Sequence, residues 1–112
     1  AEFSRTGGTQ HAVQLWVNLP QKNKMTPPRY QALTKENIPE VLFDGGKIRV
    51  IAGNLKMKNP EGILTQKNGV AETFSPVELY DMRFETSGNL ELSIEDGYTT
   101  MALVVDGSIS IE

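Results

Sequence analysis

Tight-turn signals of the kind that join β-strands recur along this chain. They fall at Gly7-Gly8, Asp44-Gly45-Gly46, Asn59-Pro60-Glu61-Gly62, Asn68-Gly69, Ser87-Gly88-Asn89, Asp96-Gly97 and Asp106-Gly107. The segments between them alternate apolar and polar residues with a period of two, the pattern of half-buried strands. Val13, Leu15, Val17 and Leu19 share one face, with Gln14, Trp16 and Asn18 on the other. Ile48, Val50 and Ala52 lie opposite Lys47, Arg49 and Ile51. Leu90, Leu92 and Ile94 alternate with Glu91, Ser93 and Glu95, which predicts a strand with one wet face. Met101, Leu103 and Val105 alternate with Thr100, Ala102 and Val104, an apolar stretch expected at the centre of a sheet. Val77 to Phe84 reads as another strand, and Ile109 and Ile111 continue the rhythm to the end. Helix signals are confined to Thr34–Ile38, one capped turn stopped by Pro39. Short, evenly spaced strands of this kind make an all-β sandwich or barrel.

Size and charge narrow the function classes. At 112 residues the chain makes one domain and falls well short of two full barrels. The formal net charge of −3, with Lys and Arg scattered, gives no electrostatic footprint for nucleic acid, and Lys22-Asn23-Lys24 reads as a solvated loop. No apolar run reaches membrane-spanning length, so the expectations are no nucleic acid, no membrane and a cytoplasmic setting. With no cysteine, these residues offer neither disulfides nor thiolate metal ligands.

One run is more specific. His11-Ala-Val-Gln-Leu-Trp-Val-Asn-Leu-Pro20, followed by Lys24-Met-Thr-Pro-Pro-Arg-Tyr-Gln31, resembles the hallmark of the pirin family, the two-barrel branch of the cupin β-proteins. Asn37-Ile-Pro-Glu40, Asp44-Gly-Gly46 and Ile48-Arg-Val-Ile-Ala-Gly53 are similar to that family's link into its second barrel. Ser75-Pro-Val-Glu-Leu-Tyr-Asp81, Asp96-Gly-Tyr98 and Val105-Asp-Gly107 resemble later pieces of it. The resemblance implies a cupin-like jelly roll. Residues 1–33 would be the end of a first-barrel segment with its linker, and 34–112 a second-barrel-like segment.

Iron is the cofactor that the resemblance implies for the full-length family, held in the first barrel by three histidines and a glutamate. Ala1-Glu2-Phe3 is similar to the tail of its H-x-E pattern, so Glu2 alone carries over as a metal-ligand position. His11 matches a family histidine outside the ligand set, and Leu90-Glu-Leu-Ser93 stands where metal-bearing cupins show H-x-H. A facial iron site needs about two histidines and a carboxylate, and this sequence has one histidine. The expectation is therefore a truncated, non-catalytic binding or scaffold module with no cofactor in this form. The alternative is a fragment of an iron-dependent dioxygenase of the quercetinase type.

No other catalytic constellation stands out. His11 has no G-x-S-x-G context, and the carboxylate pairs Glu95-Asp96 and Glu36 with Glu40 adjoin turn signals, where solvation is the simpler reading. Trp16 is expected to be buried between layers, and Tyr30, aimed by Pro27-Pro28, to pack on the barrel's outside. A last strand at Ile109-Ser-Ile111 would lack a covering neighbour, which predicts a homodimer with exchanged or shared strands. A protein partner is the other association that the resemblance implies, since family members are described as regulators that bind proteins.

Overall fold

The computed structural model describes residues 7–9 and 11–111. Six strands follow one short 3-10 helix, Gln21–Asn23: β1 (Glu40–Phe43), β2 (Gly46–Ala52), β3 (Asn54–Lys58), β4 (Leu64–Asn68), β5 (Leu79–Phe84) and β6 (Glu91–Leu92). They form two antiparallel three-stranded sheets, ordered β1-β2-β5 and β4-β3-β6. The all-β expectation is met, and two antiparallel sheets are what a cupin-like fold requires. Between Thr34 and Ile38 lies the single turn read from the sequence, closed by the Asn37 and Ile38 amides donating to the Thr34 carbonyl.

Two hairpins build the fold. Asp44-Gly45 turns β1 into β2, pairing Phe43 with Gly46 and Glu40 with Arg49. Asn59 to Gly62 turns β3 into β4, with the Asn59 side chain accepting from the Ile63 amide at 2.8 Å. Gly53 joins the hairpins at a corner. Just before it the β2–β5 register shifts between Val50 and Ala52. The freed Ile51 carbonyl then accepts from the Val70 and Ala71 amides at 3.1 and 2.9 Å. The chain thus leaves one sheet for the other, as strands do at the corners of sandwiches and barrels.

Gly53 also changes the phase of burial. Ile48, Val50 and Ala52 point inward as predicted, yet beyond Gly53 the buried residues are Leu55 and Met57, not 54 and 56. One residue at φ 87° resets which side of the strand faces the core. Ile48, Val50, Leu55 and Met57 form the cluster, flanked by Val41, Phe43, Tyr80, Leu90 and Leu92. Phe43 meets Phe84 edge to face, centroids 5.1 Å apart.

Several predicted strands do not form. Residues 11–20 pair with no strand among the described residues, and Trp16 is 85% exposed instead of buried. The same holds for Met101–Val105 and Ile109–Ile111; in Leu90–Ile94 only Glu91–Leu92 pairs, and β5 starts at Leu79. The cause is common to all. Alternation says which face of a segment would be apolar, but a strand also needs a neighbour to accept and donate its backbone hydrogen bonds. No second layer covers Trp16 among the described residues. Tyr30 is likewise 88% exposed, because the contacts of its segment are made by the residues on either side of it.

Candidate functional site

β3 alternates Leu55 and Met57 toward the core with Asn54 and Lys56 on the opposite face. Two loops rise beside that outer face. The segment before β5 crosses Gly53 so closely that a Cβ there would sit 2.6 Å from Glu78 Cγ and 2.9 Å from the Val77 carbonyl. After β6, the Ser93 amide donates to the Lys56 carbonyl at 2.9 Å, and a turn from Glu95 to Tyr98 follows. The result is an open cleft of about 680 Å³ whose wall includes Asn54, Lys56, Glu78, Glu95, Asp96 and Tyr98. Lys56 Nζ approaches Glu95 Oε1 at 3.9 Å, a solvent-facing pair that stabilises the fold little.

Asn54 is the least settled group in the wall. Its Nδ2 donates to Asn68 Oδ1, and its carbonyl accepts from the Tyr80 hydroxyl at 3.3 Å. Its Oδ1, however, is buried with no hydrogen-bond partner among the described residues. A buried acceptor without a donor costs stability, and such atoms are rare in folded proteins.

The Tyr80 phenol is held well above the ordinary tyrosine range, first by burial and then by the neighbouring Glu78 carboxylate. The folded state therefore keeps this proton after the unfolded chain, titrating near 10, has lost it. Since the unfolded state then binds fewer protons, stability falls as pH rises above about 10. Tyr80→Phe should flatten that alkaline loss, and denaturant midpoints between pH 9 and pH 11 would show it. An unchanged slope would remove Tyr80 as its source.

A second feature ties the N-terminal arm to the domain. Gln31 Nε2 donates to the Glu72 carbonyl at 2.9 Å, while the Glu72 amide donates to Gln31 Oε1 at 2.8 Å. One side-chain amide thus imitates a strand's paired bonds. Arg29 Nη1 lies 2.7 Å from Glu72 Oε2, and its guanidinium stands 5.7 Å from the centre of the Phe74 ring. Glu72 and Phe74 lead into the loop that walls the cleft.

The iron-type site fits poorly on these residues. Glu2 lies outside the described residues, and His11 is exposed. Among the described residues no three His, Cys, Asp or Glu side chains are grouped to hold a metal ion. Glu95 and Asp96 are exposed as expected, as are Glu36 and Glu40; Glu40 is engaged by Arg49 Nε at 3.4 Å. None of the cleft was singled out from the sequence as a site. Its walls come from β3 and two distant loops, and no local motif connects them.

Known proteins resemble this sequence. A Pseudomonas aeruginosa protein named "Putative quercetin 2,3-dioxygenase" is 40% identical over 97% of this chain and 36% of its own length. Mouse Pirin is 31% identical over 99% of the chain and 35% of its own length. The chain belongs to the pirin family. Arabidopsis thaliana Pirin-1 is 28% identical over 87% of this pirin-like chain and 31% of its own length. The chain thus spans about a third of the length of these relatives. No family model matches it, and no solved structure matches it at a significant level. Among the described residues, no helix is long and apolar enough to cross a membrane.

Proposed function

We propose that this pirin-like chain is a non-catalytic binding module, residues 1–33 closing a first-barrel segment and 34–112 opening a second. The observation that carries the reading is the open cleft beside β3, with Asn54 in its wall. Around it, Glu78, Glu95 and Asp96 supply further acceptors, and Val77 and Ile94 supply apolar surface. A ligand with an apolar body and several hydroxyl donors matches that wall.

Quercetin is such a molecule, and the Pseudomonas relative's name makes it the natural probe. Calorimetric titration should show saturable binding, weakened about tenfold by Asn54→Ala, the loss expected for one good hydrogen bond. Thermal melts of that variant check that the fold survives. No binding would sink the module reading.

The relatives' names favour one other reading, an iron-dependent dioxygenase of which this chain is part. Adding ferrous iron, oxygen and quercetin separates the two. We expect no flavonol loss above an iron-only control and far less than one iron retained per chain after desalting, given one histidine in the sequence. Stoichiometric iron that is lost on Glu2→Ala, with flavonol turnover, would favour the dioxygenase.

A further inference from the structure

The segment from Glu72 to Glu78 forms one side of the cleft, through Thr73, Pro76, Val77 and Glu78. It belongs to no strand. Its ends are fixed by the domain: the Ala71 amide donates to the Ile51 carbonyl at 2.9 Å, and Leu79 stands opposite Ala52 in the β2–β5 ladder. Between those anchors a residue 41 positions away takes hold of it. Gln31 bonds both backbone groups of Glu72, accepting from the amide at 2.8 Å and donating to the carbonyl at 2.9 Å.

That pair constrains more than two separate bonds would. One planar amide must reach the N–H and the C=O of a single residue together, which fixes both the place of Glu72 and the turn of its backbone. Arg29 grips the same stretch, with Nη1 2.7 Å from the Glu72 carboxylate and the guanidinium 5.7 Å from the centre of the Phe74 ring. The ion pair faces solvent and is weak by itself. Neither Gln31 nor Arg29 is among the residues lining the cleft, so whatever they contribute there passes through the wall they hold.

We infer that Gln31 is a positioning residue of the β3 cleft: its paired hydrogen bonds to Glu72 hold the Glu72–Glu78 wall in place, and Arg29 supports them. The inference rests on the reading of that cleft as a binding site. A wall already ordered spares a ligand the entropy of ordering it, so affinity follows what holds the wall. With Gln31 engaged the wall is set; with Gln31 released the wall loosens locally while both sheets persist. Such coupling is reciprocal, so a ligand that needs the set wall also tightens the arm's grip on Glu72.

Backbone nitrogen relaxation and calorimetric titration with quercetin, both on the 112-residue chain, test this. In Gln31→Ala the order parameters of Thr73, Val77 and Glu78 should fall from about 0.85 toward about 0.6, while those of the β2–β5 ladder stay in the rigid range. Quercetin should bind that variant about tenfold more weakly, and Arg29→Ala about threefold more weakly. Tyr30→Ala is the control, since Tyr30 lies between the two yet is 88% exposed, and it should change neither measurement. Bound quercetin should slow exchange of the Glu72 amide in the unsubstituted chain. An unchanged wall in Gln31→Ala overturns the inference, as does a loosened wall with quercetin affinity intact. So does a ladder that loosens as much as the wall, which would make Gln31 a general support of the domain. If quercetin does not bind the unsubstituted chain, the module reading fails and the order parameters decide alone: a loosened wall beside a firm ladder sustains the positioning role, and an unchanged wall ends it.

Discussion

Gly53→Ala will cost this domain about 2–5 kcal/mol, the sum of backbone strain at positive φ and a steric clash in a packed corner. The strain follows from φ 87°, where a Cβ crowds the backbone. The clash follows from the added carbon's place, 2.9 Å from the Val77 carbonyl oxygen and 3.0 Å from Glu78 Cα. Neither atom is the free end of a side chain, so relief requires moving the loop that walls the cleft. Gly97 provides the control. Its φ is 89°, yet nothing lies within 4 Å of the position its Cβ would take. Gly97→Ala should therefore show the strain alone, about 1–2 kcal/mol. Urea melts of the two variants measure the difference. Equal losses would mean that the corner is not packed as described.

Leu55→Ala should cost about 2–5 kcal/mol, the usual range for emptying a filled core position. Leu55 is fully buried, and it stands on the far side of the corner from Ile48 and Val50 in the same cluster. With few buried side chains in that cluster, one cavity removes a large share of a domain stability that is commonly about 5–15 kcal/mol. Ile48→Ala should behave alike, and because the two residues share one core, the double variant should depart from the sum of the singles. Chemical denaturation followed by far-ultraviolet circular dichroism tests this. Strict additivity would mean two separate small cores, one for each hairpin.

The half of the fold that depends on local residues was legible. Asp44-Gly45 and Asn59 to Gly62 stand at hairpin turns because their chemistry suits tight turns wherever they occur. Ile48, Val50 and Ala52 announced a core face, since strand period and burial agree there. Leu55 and Met57 did not, because the phase change at Gly53 puts them out of step with the preceding alternation. Trp16 and the Met101–Val105 segment were misplaced for a different reason. Their patterns describe a face but carry no information about whether a neighbouring strand covers it. The cleft was beyond reach, since its wall is assembled from residues as far apart as Asn54 and Tyr98. Even the arm's attachment falls on Arg29 and Gln31 instead of Tyr30, since a polar side chain's partner is fixed only once the chain has folded.

The corner at Gly53 has a consequence for the order in which this chain reaches its structure. On either side of it lies a hairpin whose paired residues are near in sequence, Glu40 with Arg49 and Asn54 with Asn68 at their widest. Closing such short loops loses little chain entropy, and hairpins form in microseconds. β5 joins later, because pairing Gly46 with Phe84 closes a much longer loop. The two hairpins thus arise as separate nuclei, and the angle at one glycine decides whether their apolar faces meet. A residue that stiffens this corner wrongly would leave each hairpin without the apolar face it packs against, and a hairpin alone is marginal in water.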